Sequence, residues 1–352
     1  MKTIQNRITA FVKLGDFLSQ FSRKDIQRKE GIPHNELFFD GFIHQLKIAQ
    51  ENNTWFTKEN ILFSIENWTN ALTEHNLTKW TSGTQHNTTQ KKVAIIMAGN
   101  IPLVGFHDFL SVVISGHSVL VKQSSNDKHL LPFLAKYLEC IEPELKGKIN
   151  FTEEKLSNFD AVIATGSTNT ARYFDYYFKD KPSIIRKNRN SIAVITGNET
   201  EEQLEGLSND IFQYFGLGCR SVSKLFVPKN YQFDAFFKGM YNKHRYIDNA
   251  KYANNYDYNK AVYLMSEFDI LENGFLMIKE DKSYSSPIAS IFYEYYEDLN
   301  ALKLKLTAEA EYIQCVVANG FSDTEIKFGQ TQCPQLWDYA DGVNTLRFLA
   351  KI

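Results

Sequence analysis

The sequence predicts an α/β protein in which a helical N-terminal segment leads into a doubly wound parallel sheet and then a second α/β domain. Three observations lead there. Through residues 1–90, apolar side chains recur at three- and four-residue steps, the period of a helix face. From Val93 onward, short runs rich in β-branched residues alternate with helical patterns, as in parallel sheets covered on both faces. The length of 352 residues suits about two domains at ~150 residues each.

Ile4, Ile8, Phe11, Leu14, Leu18 and Phe21 define the first helix. A second is expected near 35–50, carried by Leu37, Phe38, Phe42, Ile43 and Leu46. A third starts at Thr57, a good N-cap, and buries Ile61, Ile65, Trp68 and Leu72. The polar stretch 81–92 has no apolar period and reads as a linker. Strands are then expected at 93–98, 118–121, 161–165, 183–185 and 192–196, with helices at 105–115, 127–141, 168–178 and 200–215. A further α/β stretch begins at 221–227, with strands at 289–293 and 313–318.

Lys+Arg 39 against Asp+Glu 41 leaves a formal charge of −2, so no cationic field makes nucleic acid a partner. The apolar fraction of 43% with 23% charged residues is a globular mixture, not a disordered one. Apolar runs reach six or seven residues, short of the ~20 a membrane span needs. Lys13 and Asp16 interrupt what a secretory signal would require to be apolar, so a cytoplasmic location is expected. Cys140, Cys219, Cys315 and Cys333 are widely spaced and match neither a disulfide framework nor a zinc site. The histidines show no metal-ligand spacing, and no metal is expected.

Four segments could carry chemistry. Gly99-Asn100-Ile101-Pro102 follows an apolar strand and precedes a helix; it is either a strand-end turn or a place where the Asn100 amide serves as a donor. Lys122, Ser124 and Ser125 end the next strand, reading as a solvated loop or as a holder of ribose and phosphate. Gly166, Ser167 and Thr168 open a helix, where they either cap it or take phosphate oxygens. Cys219 sits between Gly216-Leu217-Gly218 and a strand, with Arg220 adjacent, and a nearby cation or helix end favours the reactive thiolate. Cys140 and Cys315 lie in apolar periodic patterns and are expected in the core. The tract 231–263, with seven tyrosines among Asn and Lys, is expected to pack or to line a substrate.

In this order and spacing, the four segments resemble the aldehyde dehydrogenase superfamily, and more closely its LuxC-like acyl-CoA reductase branch, over roughly residues 90–350. The resemblance implies an aldehyde-dehydrogenase-like fold, with a dinucleotide-binding domain over 91–198, a catalytic domain over 199–352 whose last residues return to the first, and the 1–90 helices packed on it. It implies that Cys219 is the nucleophile, although Leu217 stands where the family's G-Q-x-C has Gln. Asn100 falls on the oxyanion-hole asparagine of W-N-F-P. Lys122 and Ser125 match the K-P-S-E segment at the adenosine ribose. Gly166, Ser167 and Thr168 match G-S-T-x-x-G near the phosphates, with Ala171 replacing the last Gly.

Two departures matter. The segment that carries the water-activating Glu aligns with Arg186-Lys187-Asn188-Arg189-Asn190, and the E-x-F-G-P-V glutamate is absent from Ser283-Tyr284-Ser285-Ser286-Pro287-Ile288. An enzyme that discharges its acyl-enzyme with hydride has no use for a water-activating base. The resemblance thus implies an NAD(P)H-dependent reductase of acyl-CoA or another acyl thioester, with NADPH preferred to NADH because Ser125 replaces a carboxylate. A homo-oligomer is the family's habit. The alternatives are an aldehyde dehydrogenase with a displaced base, a cysteine acyltransferase or thioesterase, and a non-catalytic subunit that kept the fold.

Overall fold

The computed structural model describes residues 2–83 and 89–352, so the centre of the expected linker, 84–88, lies outside the described residues. Four helices open the chain: α1 (Lys2–Leu18), α2 (Asn35–Asn52), α3 (Lys58–Ala71) and α4 (Glu74–Thr81). Thr57 caps α3 as its position predicts, its side chain accepting the Asn60 N–H at 3.2 Å. Then follow β1 (Lys92–Ile96), α5 (Phe106–Ile114), β2 (Ser118–Lys122), α6 (Leu130–Ile141), β3 (Ile149–Phe151), β4 (Ala161–Thr165), α7 (Thr168–Tyr177) and β5 (Ser183–Arg186). The five strands form one parallel sheet in the order β3-β2-β1-β4-β5. Phe11, Phe17 and Phe42 from the N-terminal helices share one buried cluster with Val93, Ile95, Val119 and Ile163 of the sheet.

The next elements are β6 (Asn190–Val194), α8 (Glu201–Phe212), β7 (Val222–Pro228), α9 (Asp234–Met240), α10 (Ala250–Met265), β8 (Ile270–Glu272), β9 (Met277–Glu280), β10 (Ser290–Tyr296), α11 (Leu299–Ala308) and β11 (Ile313–Val317). They build a sheet ordered β11-β6-β7-β10-β9-β8, parallel except for the β8–β9 pair. The chain then adds α12 (Thr345–Leu349) to the first unit. The two units are Met1–Lys187 with Gln335–Ile352, and Asn188–Pro334. The division falls at 187/188 rather than at 198/199, because β6 pairs with β7 and β11 and not with β5.

Several expectations change in detail. The strand expected at 192–196 occupies Asn190–Val194, and the helix expected over 200–215 stops at Phe212. Cys140 is exposed, not in the core: α6 buries Leu130, Leu131, Leu134, Ala135, Tyr137 and Leu138, and position 140 falls outside that stripe. Cys315 is buried as expected. The tyrosine tract packs: Tyr252, Tyr256 and Tyr263 are buried on α10, while Tyr241 and Tyr258 stay exposed. Among the described residues no helix is long and apolar enough to cross a membrane.

Candidate active site

In the first sheet, consecutive strands run outward from β1 on one side through β2 and on the other through β4. Ligands of open α/β sheets sit at the carboxyl edge of such a switch point. Three of the predicted segments leave the sheet there: Asn100 after β1, Lys122, Ser124 and Ser125 after β2, and Gly166, Ser167 and Thr168 after β4.

The turn that carries Asn100 is fixed from several directions. Met97 N–H donates to Lys122 O at 3.0 Å. Gly99 lies so close to Ser124 that a Cβ there would stand 2.5 Å from its Oγ, which makes glycine obligatory. Past Asn100, Ser64 Oγ donates to Pro102 O at 2.9 Å, and Leu103 N–H donates to Asp127 Oδ2 at 2.8 Å. Leu103 is buried with φ 58°, a left-handed conformation that a branched aliphatic residue rarely takes. Burial pushes the Asp127 carboxyl up to about 7, against the opposing effect of the Leu103 N–H. Asn100 itself is exposed.

Lys122 Nζ donates to Glu154 O at 3.1 Å, one use of the ammonium's three donors. Ser124 Oγ accepts the Asn126 N–H at 3.3 Å. Ser125 is exposed, its carbonyl held by Asn52 Nδ2 at 2.9 Å. Ser167 caps α7, accepting the Thr170 N–H at 3.2 Å, so its hydroxyl already serves the helix. Thr168 is exposed beside it. Hydroxyls, an ammonium and a helix N-terminus along one edge are the donor set that ribose and phosphate oxygens need.

Cys219 lies in the second unit, exposed, at the amino end of β7. After α8 the backbone turns through three consecutive left-handed residues: Tyr214 (φ 56°), Phe215 (φ 57°) and Gly216 (φ 75°). Aromatic packing holds this conformation. The Phe215 ring is 5.2 Å from that of Tyr246 and 6.1 Å from that of Tyr252. Below the thiol, Ser191 Oγ donates to Cys219 O at 2.9 Å, beside a register shift between β6 and β7. Bulges of this kind re-aim side chains next to active sites. Arg220 does not simply flank Cys219: its Nη1 donates to the buried Cys315 Sγ at 3.4 Å. The loop behind is tied by Gln332 Nε2 to Ser221 Oγ at 3.1 Å. Asp210 accepts from Gly329 N–H, Thr331 N–H and Thr331 Oγ1, while burial pushes its carboxyl up to about 6. Among the described residues no group of three or more His, Cys, Asp and Glu could hold a metal.

The segment aligned with the missing base is structural. Arg186 is buried and paired with Asp108, Nη2 to Oδ1 at 2.6 Å and Nε to Oδ2 at 3.3 Å, with Ala340 O and Thr345 Oγ1 taking further bonds. In the other altered segment, the Tyr284 hydroxyl bonds Glu309 and its carbonyl accepts from Ser223 Oγ at 2.7 Å. Sequence reasoning passed over Ser64, Asp127 and Ser191, since a serine in a helix or strand and an acid in a polar loop carry no pattern of their own.

The fold and one family model agree. The chain's fold is similar to that of aldehyde dehydrogenase 21 from Physcomitrella patens, with a TM-score of 0.63 at 12% identity over 90% of this chain and 73% of that one. It is similar to a Mycobacterium tuberculosis aldehyde dehydrogenase complexed with NAD+ (0.61, 14%, 90% and 73%) and to the NAD+ complex of one from Bacillus cereus (0.60, 13%, 90% and 72%). No curated protein sequence matches. The model of the acyl-CoA reductase (LuxC) family matches residues 16–286, which covers well over half of the chain, and this protein belongs to that family.

Proposed function

We propose that the protein reduces an acyl-CoA to the aldehyde with NAD(P)H through an acyl-enzyme on Cys219. The observation that carries this reading is an exposed Cys219 on a backbone fixed from beneath by Ser191, in a chain of the acyl-CoA reductase family. The thiolate bonds to the thioester carbonyl carbon as the carbonyl π electrons move to oxygen. The carbonyl then reforms as the carbon–sulfur bond to CoA breaks, and CoA leaves with the proton that Cys219 gave up. The Asn100 amide and the Cys219 N–H stabilise the oxyanion, each donor typically contributing ~2.7–4 kcal/mol. A nicotinamide, when bound, supplies hydride to that carbon. The carbonyl reforms as the Cys219 thiolate departs, releasing aldehyde. Per turnover, one acyl-CoA, one NAD(P)H and one proton give aldehyde, CoA and NAD(P)+.

The first sheet's carboxyl edge fits a dinucleotide. Lys122 and the N-terminus of α7 suit its phosphates, with Gly166 letting the backbone come near, and Ser124 and Ser125 suit the adenosine ribose. Structural neighbours solved with NAD+ support the same cofactor class here. Arg186, locked in its pair with Asp108, supports the absence of hydrolysis, because the aligned position offers no base to activate water. Supplied with acyl-CoA and NADPH, the protein should oxidise NADPH and form aldehyde across a panel of chain lengths. With acyl-CoA alone it should gain the mass of one acyl group. Steady release of free acid at a comparable rate would overturn the reading in favour of a hydrolytic enzyme.

NADPH preference rests on Ser125, which offers a hydroxyl where a carboxylate would repel a 2′-phosphate. Ser125→Glu should weaken NADPH more than NADH, by roughly 1–3 kcal/mol at this exposed loop. An unchanged NADPH/NADH ratio of kcat/KM would remove the preference's basis.

A further inference from the structure

The carbonyl that Ser64 holds and the N–H that Asp127 holds belong to one peptide unit, that between Pro102 and Leu103. Its oxygen accepts a hydrogen bond from Ser64 on α3 and its N–H donates one to Asp127 in the β2–α6 loop, so the peptide plane is clamped at both ends by buried side chains. Ser64 is 4% exposed and Asp127 9%. The plane lies two residues beyond Asn100 and opens the left-handed turn at Leu103. A left-handed non-glycine residue persists only where its surroundings over-determine it.

Asp127 does more than accept one bond. Its own N–H donates to Ser124 O at 3.1 Å, and its carbonyl accepts from Gln123 Nε2 at 2.9 Å. Among the described residues, its second carboxyl oxygen has no hydrogen-bond partner. A buried acid that spends its side chain on one backbone N–H is a costly way to fill space, and an aliphatic residue of similar size would pack more cheaply. Its return is orientation of the peptide it grips.

We propose that Asp127, with Ser64 opposite it, is a positioning residue for Asn100: the two clamp the Pro102–Leu103 peptide and thereby aim the amide at the developing oxyanion. This rests on the reading of Asn100 as an oxyanion donor. Interactions aimed at transition-state charge lose their value with small misplacement, so a loosened clamp lowers kcat and leaves ground-state binding alone. A carboxyl pushed up to about 7 is uncharged below that pH, and Asp127→Asn retains an acceptor oxygen without charge, so it is the conservative variant.

The test compares Asp127→Asn, Asp127→Leu and Ser64→Ala, each alone and with Asn100→Ala, in the full chain. Asp127→Leu should lower kcat ~10-fold or more, with acyl-CoA KM and NADPH affinity within ~3-fold, and Asp127→Asn should restore most of the rate. With Asn100 already truncated, Asp127→Leu should cost nothing further, because the two act through one interaction. If Asp127→Leu does not fold, Ser64→Ala must show the same non-additivity. Full additivity with Asn100→Ala would overturn the clamp while leaving Asn100 in its role. Loss of NADPH affinity at constant kcat would also overturn it, making Asp127 a cofactor-loop residue. An Asn100→Ala enzyme with wild-type kcat would instead overturn the underlying reading, and the clamp's role with it.

Discussion

Asn100 stands exposed shortly before the left-handed Leu103, and Cys219 stands exposed shortly after the left-handed Tyr214 and Phe215, yet different forces hold the two turns. The Asn100 turn is fixed by directional bonds from Ser64 and Asp127 to a single peptide, with Gly99 wedged against Ser124. The Cys219 turn is preceded by rings: Phe215 packs against Tyr246 and Tyr252, and Tyr252 is itself anchored by its hydroxyl to Phe275 O at 2.9 Å. Hydrogen bonds fix the angle of a dipole, as an amide acting on developing charge requires. Ring packing fixes position through area and tolerates small rotations, which suffices for a nucleophile whose thiol rotates about its own side-chain bonds. The two turns thus differ as their proposed tasks differ.

The largest effect that would break this comparison comes from Cys219→Ala. It should abolish reduction and acyl-enzyme formation, measured by NADPH oxidation and intact mass, with dinucleotide affinity preserved. Retention of more than a trace of turnover would place the nucleophile elsewhere. Next comes Asn100→Ala, expected to lower kcat by ~10²–10³-fold with little change in acyl-CoA KM. A raised KM at constant kcat would make the amide a ground-state contact and erase the distinction between the turns.

The smallest effect is on stability and sharpens the contrast, because the anchor of the polar turn grips the turn's own peptide and titrates. The Asp127 carboxyl in the folded protein titrates near about 7, above the ~3.9 of an unfolded aspartate. Between those values the folded state holds the extra proton, so this contribution is full below ~4 and is lost as pH rises through about 7. Relative to Asp127→Asn, the wild type should lose roughly 2–4 kcal/mol between pH 4 and 8, read from urea unfolding at each pH. A flat difference would mean that the carboxyl is ionised in the fold throughout.

Much of this was legible in the sequence, and the exceptions have physical causes. Helices α1 to α3 announce themselves because Phe, Leu and Ile mark the buried stripe and Thr57 marks a start. Helix α10 hides because its buried face is built from Tyr252, Tyr256, Asn259 and Tyr263, whose polar atoms mask the period. Strand β3 has three residues, and β8 is an edge strand with Leu271 48% exposed, so neither offers a run to read. Asn100, Lys122, Ser125 and Gly166 could be placed at strand ends because the strands themselves were readable. Ser64, Asp127 and Ser191 could not, since they grip backbone 38, 24 and 28 residues away. Side-chain bonds to a distant main chain leave no local trace.

The return of residues 335–352 to the first unit has a consequence for how the molecule is made. Leu336, Leu346 and Leu349 complete a core whose other members are translated far earlier, and Arg186 waits for Ala340 and Thr345 to finish its bonds. The second unit is contiguous, so everything its sheet needs has been synthesised while the first is still missing a part. At ~5–20 residues per second, the growing chain carries that incomplete core for roughly ten to thirty seconds. During that interval the apolar pocket meant for the last helix faces water. The nascent protein is then most exposed to misassociation, and a chaperone that binds aliphatic surface would find its target there.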